Sequence, residues 1–332
     1  MGNSFTLHFV TDDERYSDTS DTYFSITAIE AFSSREELNE TVRFSTMELE
    51  DGTLAITQCH GVALDVVVPA KIDGVDVTEI YGFHEFDRNV KNVIIQEGIE
   101  SISDWAFVEC YELESIDLPD SLTEIGEFCF GACFSLENVI LPKNLKSIDN
   151  FAFVGCGIKE LVIPASVTEL PESDESGSSA FCDCKNLKSV IFEGGNTPVA
   201  SNMFQGCTKL SNVTLAEGLE DIDNHAFQDC VSLKHIELPS TLKDIWSDAF
   251  SGSGLTSIVL PEGMERISGG AFYNCADLKS IYIPEGVSFL DYGSPVFDGC
   301  HPDFTIYGVA GSPAEAYAEE YEIPFVAGNI PA

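Results

Sequence analysis

The chain of 332 residues is long enough to bury a large core, and its composition is strongly acidic. It is 44% hydrophobic and carries 56 acidic against 16 basic residues, which gives a formal net charge of −40. Nucleic acids and anionic membranes attract lysine and arginine, so this balance argues against both as direct partners. The acidity is compatible with high solubility, with a basic partner or with a cation-rich setting.

Residues 1–50 form an N-terminal extension that has no counterpart in the rest of the chain. The stretches FTLHFV and YFSITAI predict strands, and SREELNETV predicts a short helix, as in a small cap or the remnant of another domain. The first residues have neither the basic start nor the apolar stretch of a secretory signal, which predicts a cytoplasmic location for a complete chain. The sequence contains no run of about 18 apolar residues, so it predicts no membrane-spanning helix.

From residue 51 onward, one local pattern recurs along the chain. Copies read AFVECYELESIDLPDSLTEI from Ala106 and AFQDCVSLKHIELPSTLKDI from Ala226. The anchor phenylalanines of the copies are Phe86, Phe107, Phe130, Phe153, Phe181, Phe204, Phe227, Phe250, Phe272 and Phe297. A period of about 20–29 residues with a Leu-x-x-Ile-x-Leu core is typical of a leucine-rich repeat.

Each copy predicts one coil of a solenoid. The alternation in I-x-L predicts a strand, the proline after it ends that strand, and a second apolar stretch such as LTEI leads to the compact Ala-Phe segment. Successive strands would stack in parallel at about 4.8 Å per coil. The sequence therefore predicts a right-handed solenoid of about ten coils, with a parallel inner β-sheet and short helical or 3-10 outer segments.

The full order A-F-x-x-C-x-x-L-x-x-I-x-L-P-x-x-L-x-x-I resembles the BspA-like, Treponema-type leucine-rich repeat. The resemblance covers the chain from about Asp51 to its C-terminus. It implies a solenoid with its opening cap over residues 51–306 and a closing cap over residues 307–332, in which a short helix precedes a last strand. It also implies a bacterial protein that is secreted or displayed at the cell surface and acts in adhesion.

Eight of the 11 cysteines occupy one repeat position, three residues after the anchor phenylalanine. They are Cys110, Cys133, Cys156, Cys184, Cys207, Cys230, Cys275 and Cys300. Such a column predicts buried free thiols, because Cβ atoms at the coil spacing are farther apart than a disulfide requires. Disulfide bridges and a metal site are the alternatives. Reduced thiols suit the cytosol or an anaerobic habitat.

The chain contains no recognisable catalytic or metal-binding motif. Neither H-E-x-x-H nor G-x-S-x-G occurs, and no acidic cluster has the spacing of a calcium loop. The cluster in the insertion PESDESGSSAF, with Glu172, Asp174 and Glu175, is typical of a solvated loop rather than of a cation site. We therefore predict no catalysis, no cofactor and no metal.

The candidate binding site is the middle position of the I-x-L strand, which forms a column on the inner face. The column reads Ile94, Asp117, Ile140, Val162, Ile191, Thr214, Glu237, Val259 and Tyr282. Ordinary β propensity accounts for its aliphatic content, and an apolar strip for a partner is the sharper interpretation. His235 belongs to a neighbouring column of polar residues that could hydrogen-bond a ligand.

From these features we predict a non-enzymatic, monomeric scaffold that binds a protein, a basic one among the candidates, or a glycan. The main alternative is a recognition module of a larger secreted surface protein that binds glycan or host matrix. An enzyme is the remaining alternative, and it would need a convergent pocket between the insertion at 172–179 and the inner sheet.

Overall fold

A column of short parallel strands runs along the repeats at the positions that the I-x-L motif predicts. The computed structural model describes residues 42–61, 63–81, 90–170, 180–194, 197–290 and 295–330. The strands of this first sheet are β3 (Asp65–Val68), β6 (Asn92–Ile95), β8 (Ser115–Asp117), β11 (Glu160–Ile163), β12 (Ser189–Phe192), β13 (Asn212–Thr214), β16 (Ser257–Val259), β18 (Ser280–Ile283), β20 (Thr305–Gly308) and β21 (Phe325–Ala327). Single bridges at Asn138 and Glu237 continue the column where no full strand forms.

The second apolar stretch of each repeat forms a second column of parallel strands, which the sequence analysis did not predict. Its strands are β2 (Leu54–His60), β5 (Val75–Ile80), β7 (Ser101–Ile102), β9 (Glu124–Ile125), β10 (Ser147–Ile148), β14 (Asp221–Ile222), β15 (Asp244–Ile245), β17 (Arg266–Ser268) and β19 (Ser288–Leu290). Most of these strands are only two or three residues long. The isoleucine of these strands, such as Ile125 or Ile245, is buried and closes the coil from this side, and in β19 Phe289 takes its place.

The first coil is built as a cap. β1 (Arg43–Glu48) pairs antiparallel with β2, and β4 (Lys71–Ile72) forms a hairpin with β5. The predicted boundary between the N-terminal extension and the solenoid, after residue 50, falls in the turn between β1 and β2. Residues 1–41 of the extension lie outside the described residues. The solenoid has about 11 turns. One turn, between β2 and β5, precedes the first anchor phenylalanine, so the count is slightly higher than the ten anchors suggest.

The C-terminal end is closed by the helix and strand that the family resemblance implies. Helix α1 (Pro313–Glu320) follows β20, and β21 then adds a last parallel strand to the first sheet. Pro313 suits the first turn of the helix because the backbone N–H that proline lacks has no partner there. Ala314, Tyr317 and Ala318 are buried against the last coil, which covers the end of the core.

The Ala-Phe segments are hydrogen-bonded turns, and the prediction of short helical or 3-10 outer segments is wrong in the coils that the structure describes. Trp105, Phe107 and Glu109 each donate their backbone N–H to the next coil, at 2.7, 2.7 and 2.8 Å. Trp105 and Glu109 have left-handed backbone angles, with φ of 62° and 60°. A helix needs successive right-handed residues, so this alternation forms a third ladder between coils instead.

The core is a continuous stack of the anchor side chains. From Phe107 to Phe297, each described anchor ring lies nearly parallel to the next, with centroids 5.0 to 5.9 Å apart. These rings are buried, as are the leucines and isoleucines of the repeat. One coil cannot cover its own apolar face, so the neighbouring coils supply the missing wall.

Candidate binding surface

The structure places the nine predicted column residues in one line on the solvent side of the first sheet. Val162 pairs in register with Ile191, Ile191 pairs in turn with Thr214, and Val259 pairs with Tyr282. Ile140 is 84% exposed, and Ile94, Val162, Ile191 and Val259 are 43 to 60% exposed. The flanking residues of each strand point into the core. The alternation along I-x-L therefore separates core from surface as the sequence predicts.

Three further residues extend the column beyond the nine that the repeat motif predicts. Val67 pairs with Ile94 at the N-terminal end, while Tyr307 and Val326 follow Tyr282 at the C-terminal end. They lie in the caps, where the Leu-x-x-Ile-x-Leu core is incomplete. The alternation V-x-V before Pro69 is the signal that could have identified Val67.

A polar stretch at Thr214 and Glu237 divides the column into two mainly apolar strips, and Asp117 interrupts the first of them. A shallow depression of about 290 Å³ lies at this polar stretch, lined by residues 211–215 and 235–237. His235 is exposed at its edge, together with Asn212. The structure thus brings His235 close to the polar part of the column and away from the two apolar strips.

The neighbouring column of polar residues forms hydrogen bonds within the sheet at its N-terminal end. Asn92 Nδ2 donates to Asp65 Oδ1 at 2.6 Å, and Ser115 Oγ donates to Asn92 Oδ1 at 2.7 Å.

Tyr282, which belongs to the exposed column itself, donates its hydroxyl to Glu262 at 3.2 Å. Burial, as the larger effect, and the hydrogen bond to this carboxylate both raise the pKa of Tyr282. The phenol therefore stays neutral in the physiological range.

The cysteine column lies under the Ala-Phe turns and contributes no reactive group to the exposed column. Sγ of Cys156 donates to the carbonyl of Phe130 at 3.0 Å, and Cys230 bonds Phe204 in the same way at 3.3 Å. All 11 cysteines are free. Burial raises the pKa of six thiols of the column, for Cys275 to about 11, which keeps these six protonated and weakly nucleophilic.

The described residues offer little that would support a metal site, a membrane span or catalysis. No group of three or more His, Cys, Asp or Glu side chains among them is arranged to hold a metal ion. Within the same residues, no helix has the length and apolar character needed to span a bilayer. The pocket that an enzyme would need at the insertion, residues 172–179, falls outside the described residues.

The two tryptophans lie on different parts of the coils. Trp246 follows β15, where its indole N–H donates to Asp221 and Arg266 stacks over its ring at 5.2 Å. Arg266 also forms a two-pronged ion pair with the buried Asp244, so this tryptophan belongs to a packed polar cluster. Trp105 is instead exposed on the Ala-Phe turns, beside Phe128.

Stacked coils with two parallel sheets and a buried aromatic ladder define a leucine-rich-repeat solenoid. The family model described as BspA type leucine rich repeat region matches residues 73–173 and 174–302. The chain therefore belongs to the BspA type leucine-rich repeat family, as the resemblance in its repeats predicts.

Solved structures of bacterial leucine-rich repeat proteins have the same fold. A leucine-rich repeat protein from Bacteroides ovatus is 28% identical, with a TM-score of 0.65 over 81% of this chain and 70% of its own. The leucine-rich repeat protein of T. pallidum is 30% identical, with a TM-score of 0.51 over 57% of this chain and 87% of its own. No curated protein matches the chain.

Proposed function

We propose that the protein is a non-enzymatic scaffold that binds a partner protein through the exposed column of the first sheet. The observation that carries this proposal is the contiguous strip of Ile140, Val162 and Ile191, whose aliphatic side chains face solvent in register. Contiguous exposed apolar surface marks interaction sites, because its burial on binding is favourable. A protein of this family that binds through an extended face suits adhesion or display at a bacterial surface.

The charge of the molecule limits the kind of partner. Asp117 and Glu237 interrupt the aliphatic residues of the column, and the chain as a whole has a formal charge of −40. A partner that presents apolar side chains among lysine and arginine would match both the strip and its surroundings. The acidic field would also speed the encounter with such a basic surface.

A glycan ligand is the second candidate, and the polar depression favours it. Asn212, Thr214, His235 and Glu237 offer hydrogen-bonding groups around a shallow space of about 290 Å³. A sugar needs such groups to replace the water around its hydroxyls. Binding there would depend on His235 and would not require the apolar strips.

The test is a quantitative pull-down from microbial and host surface extracts with matched variants. Replacing Ile140, Val162 and Ile191 together by Ser should abolish capture of the partner and leave the melting temperature nearly unchanged, since all three side chains are exposed. The control replaces other exposed valines, Val231 and Val309, by Ser and should keep the partner. Equal recovery by both variants, or no capture by the wild type, would contradict the proposal. Loss only on replacing His235 by Ala would favour the glycan site.

A further inference from the structure

A second apolar surface lies on the Ala-Phe turns and shares no residue with the exposed column. It is a groove of about 560 Å³ that crosses four consecutive coils, from Trp105 to Asn186. Val108 and Val154 form part of its lining, and Glu109, Asp183 and Lys185 bring charges to it. Its size lies within the usual range of ligand sites, about 300–1,000 Å³.

Two short stacks of aromatic rings flank the groove. Trp105, Phe128 and Phe151 stack with ring centroids 4.3 and 4.7 Å apart, and Tyr111 stacks on Phe134 at 5.5 Å. Unlike the anchor phenylalanines, these rings are not in the core. Trp105 is 40% exposed and Phe134 is 59% exposed, so both present apolar faces to solvent.

The backbone under the first stack is unfavourable for aromatic residues. Trp105, Phe128 and Phe151 have φ angles of 62°, 51° and 57°, in the left-handed region. At the same repeat position, farther along the chain, the residues are Asn202, His225 and Asp248, with φ of 56° to 57°. Asn, Asp and His tolerate this conformation much better than bulky residues do. Strained bulky residues that persist in one part of a repeat point to a local function.

The floor of the groove exists because one coil is short. Between Cys156 and Ile158 only Gly157 is present, where the preceding coil has both Phe134 and Ser135. A Cβ on Gly157 would lie 2.2 Å from the carbonyl oxygen of Phe134, so no larger residue fits. Gly155 lies opposite the Phe134 ring, since a Cβ added to it would be 3.7 Å from the ring, and Gly157 lies against the Phe134 carbonyl. Neither glycine has a side chain to stack on the ring, so the groove is open there.

The chemistry of the groove selects a cation with a flat apolar surface. Aromatic faces attract guanidinium groups, which also stack on them, and the negative charge of the chain and of Glu109 acts in the same direction. Asp183 is paired with Lys185 at 3.6 Å, so these two charges largely offset each other. Neutral polar side-chain groups among the described lining are few, namely the amide of Asn186 and the indole N–H of Trp105. A sugar would leave many hydroxyls without partners there, which favours a peptide over a glycan.

We propose that this groove binds an extended, arginine-containing peptide segment of a partner protein. Three coil spacings of about 4.8 Å give a length of about 15 Å, which corresponds to about five extended residues. Arginine side chains lie over the exposed faces of Trp105 and Phe134, and the peptide backbone follows the glycine floor. Proline residues in the segment favour the extended form and contact the aromatic rings.

The probe is Arg-Pro-Arg-Pro-Arg-amide carrying fluorescein on its N-terminal amine, titrated by fluorescence polarisation at near-physiological salt. The loss variant combines Trp105→Asn with Phe134→Val, which copies the residues present at the same positions in a later part of the repeat, Asn202 and Val231. The control is Tyr273→Val, which removes an exposed ring outside the groove and copies the residue found at Val108 and Val154. We expect about tenfold weaker binding for the loss variant and no change for the control.

A variant that gains a second groove gives a test that does not depend on a loss of binding. Gly254 makes a second short coil with the same close approach, since a Cβ added to it would lie 2.1 Å from the carbonyl oxygen of Val231, but this coil has no aromatic walls. Combining Asn202→Trp, His225→Phe and Val231→Phe should build a second groove and double the number of peptides bound per chain.

Any one of four results would overturn the proposal. Equal affinity of the wild type and the loss variant would mean that the peptide binds the acidic surface without using the groove. Equal affinity for the citrulline analogue, in which the guanidinium charge is absent, would remove the role of the cation. Displacement by cellohexaose, or a wild-type dimer that Trp105→Asn with Phe134→Val dissociates, would assign the groove to a glycan or to a second copy of the chain.

Discussion

A single anchor residue such as Phe227 serves two neighbouring coils. Its ring is fully buried and stacks on Phe204 at 5.6 Å and on Phe250 at 5.4 Å. Its backbone N–H donates to the carbonyl of Ala249 in the next coil at 2.7 Å. The side chain therefore fills the core while its backbone joins the ladder of turns, which explains why each copy of the repeat uses the same residue.

Replacing Phe227 by Ala should lower the free energy of unfolding by about 3–5 kcal/mol, because the cavity left between two coils cannot collapse. Urea unfolding followed by circular dichroism measures this change. The control is Val231→Ala, four residues away and 49% exposed, which should change the free energy by no more than about 0.5 kcal/mol. Similar values for the two variants would contradict the assignment of the core.

For the repeated cysteines, the sequence pattern predicts burial but not the hydrogen bonds of the thiols. Its recurrence predicted a buried small side chain, and the structure confirms that burial. Seven of the eight cysteines, from Cys133 onward, donate Sγ to the carbonyl of an anchor phenylalanine in the preceding coil, and these bonds were not predictable from the pattern. The acceptor of Cys133, for example, lies 26 residues away in sequence and is brought close only by the stacking of coils.

At the scale of the element, the turns determine how closely successive coils approach. In two coils a single glycine, Gly157 or Gly254, replaces the pair of residues that usually separates the cysteine position of the repeat from the next apolar residue. The N–H of each bonds the carbonyl of the cysteine in the coil before it, Cys133 or Cys230. These short turns leave no room for a side chain, whereas the strands that follow keep their register.

Replacing Gly254 by Ala should destabilise the protein by about 1–3 kcal/mol, since the new Cβ would lie 2.1 Å from the carbonyl oxygen of Val231 and the backbone would have to move. The matched control is Gly286→Ala, where the nearest atom to the new Cβ is 3.8 Å away. Thermal unfolding of the two variants side by side checks this. An equal loss in both would contradict the close approach as the cause, since the lower entropy of the unfolded chain favours alanine at both positions.

At the scale of the whole molecule, burial of the thiols links stability to pH. Burial raises the pKa of nine thiols, to about 12 for Cys59 and about 11 for Cys182. In the unfolded chain these thiols ionise near their ordinary value of 9.0. The folded state therefore binds more protons above that pH. Its stability is fully present below about pH 9 and is lost as the pH rises toward the folded-state values.

We expect the melting temperature, measured with a reductant present, to stay level up to about pH 8.5 and to fall steeply between about pH 9 and pH 11. Each fully buried thiol contributes up to about 1.4 kcal/mol per pH unit in this window. Ellman's reagent provides the independent measurement, because the native protein at mildly alkaline pH should expose few thiols and the denatured protein all 11. Full reaction of the native protein would contradict the burial of the column.

The sequence by itself determined the solenoid, its repeat register and the separation of core from exposed column. These features depend on local alternation and on a period near 23 residues, both of which can be read without knowing any contact. Only the tertiary structure decided that the second apolar stretch forms its own sheet, that the turns are not helical and that Trp105, Phe128 and Phe134 line a groove. Each of these depends on hydrogen bonds or ring contacts between coils and on left-handed backbone angles, which arise only when the copies stack.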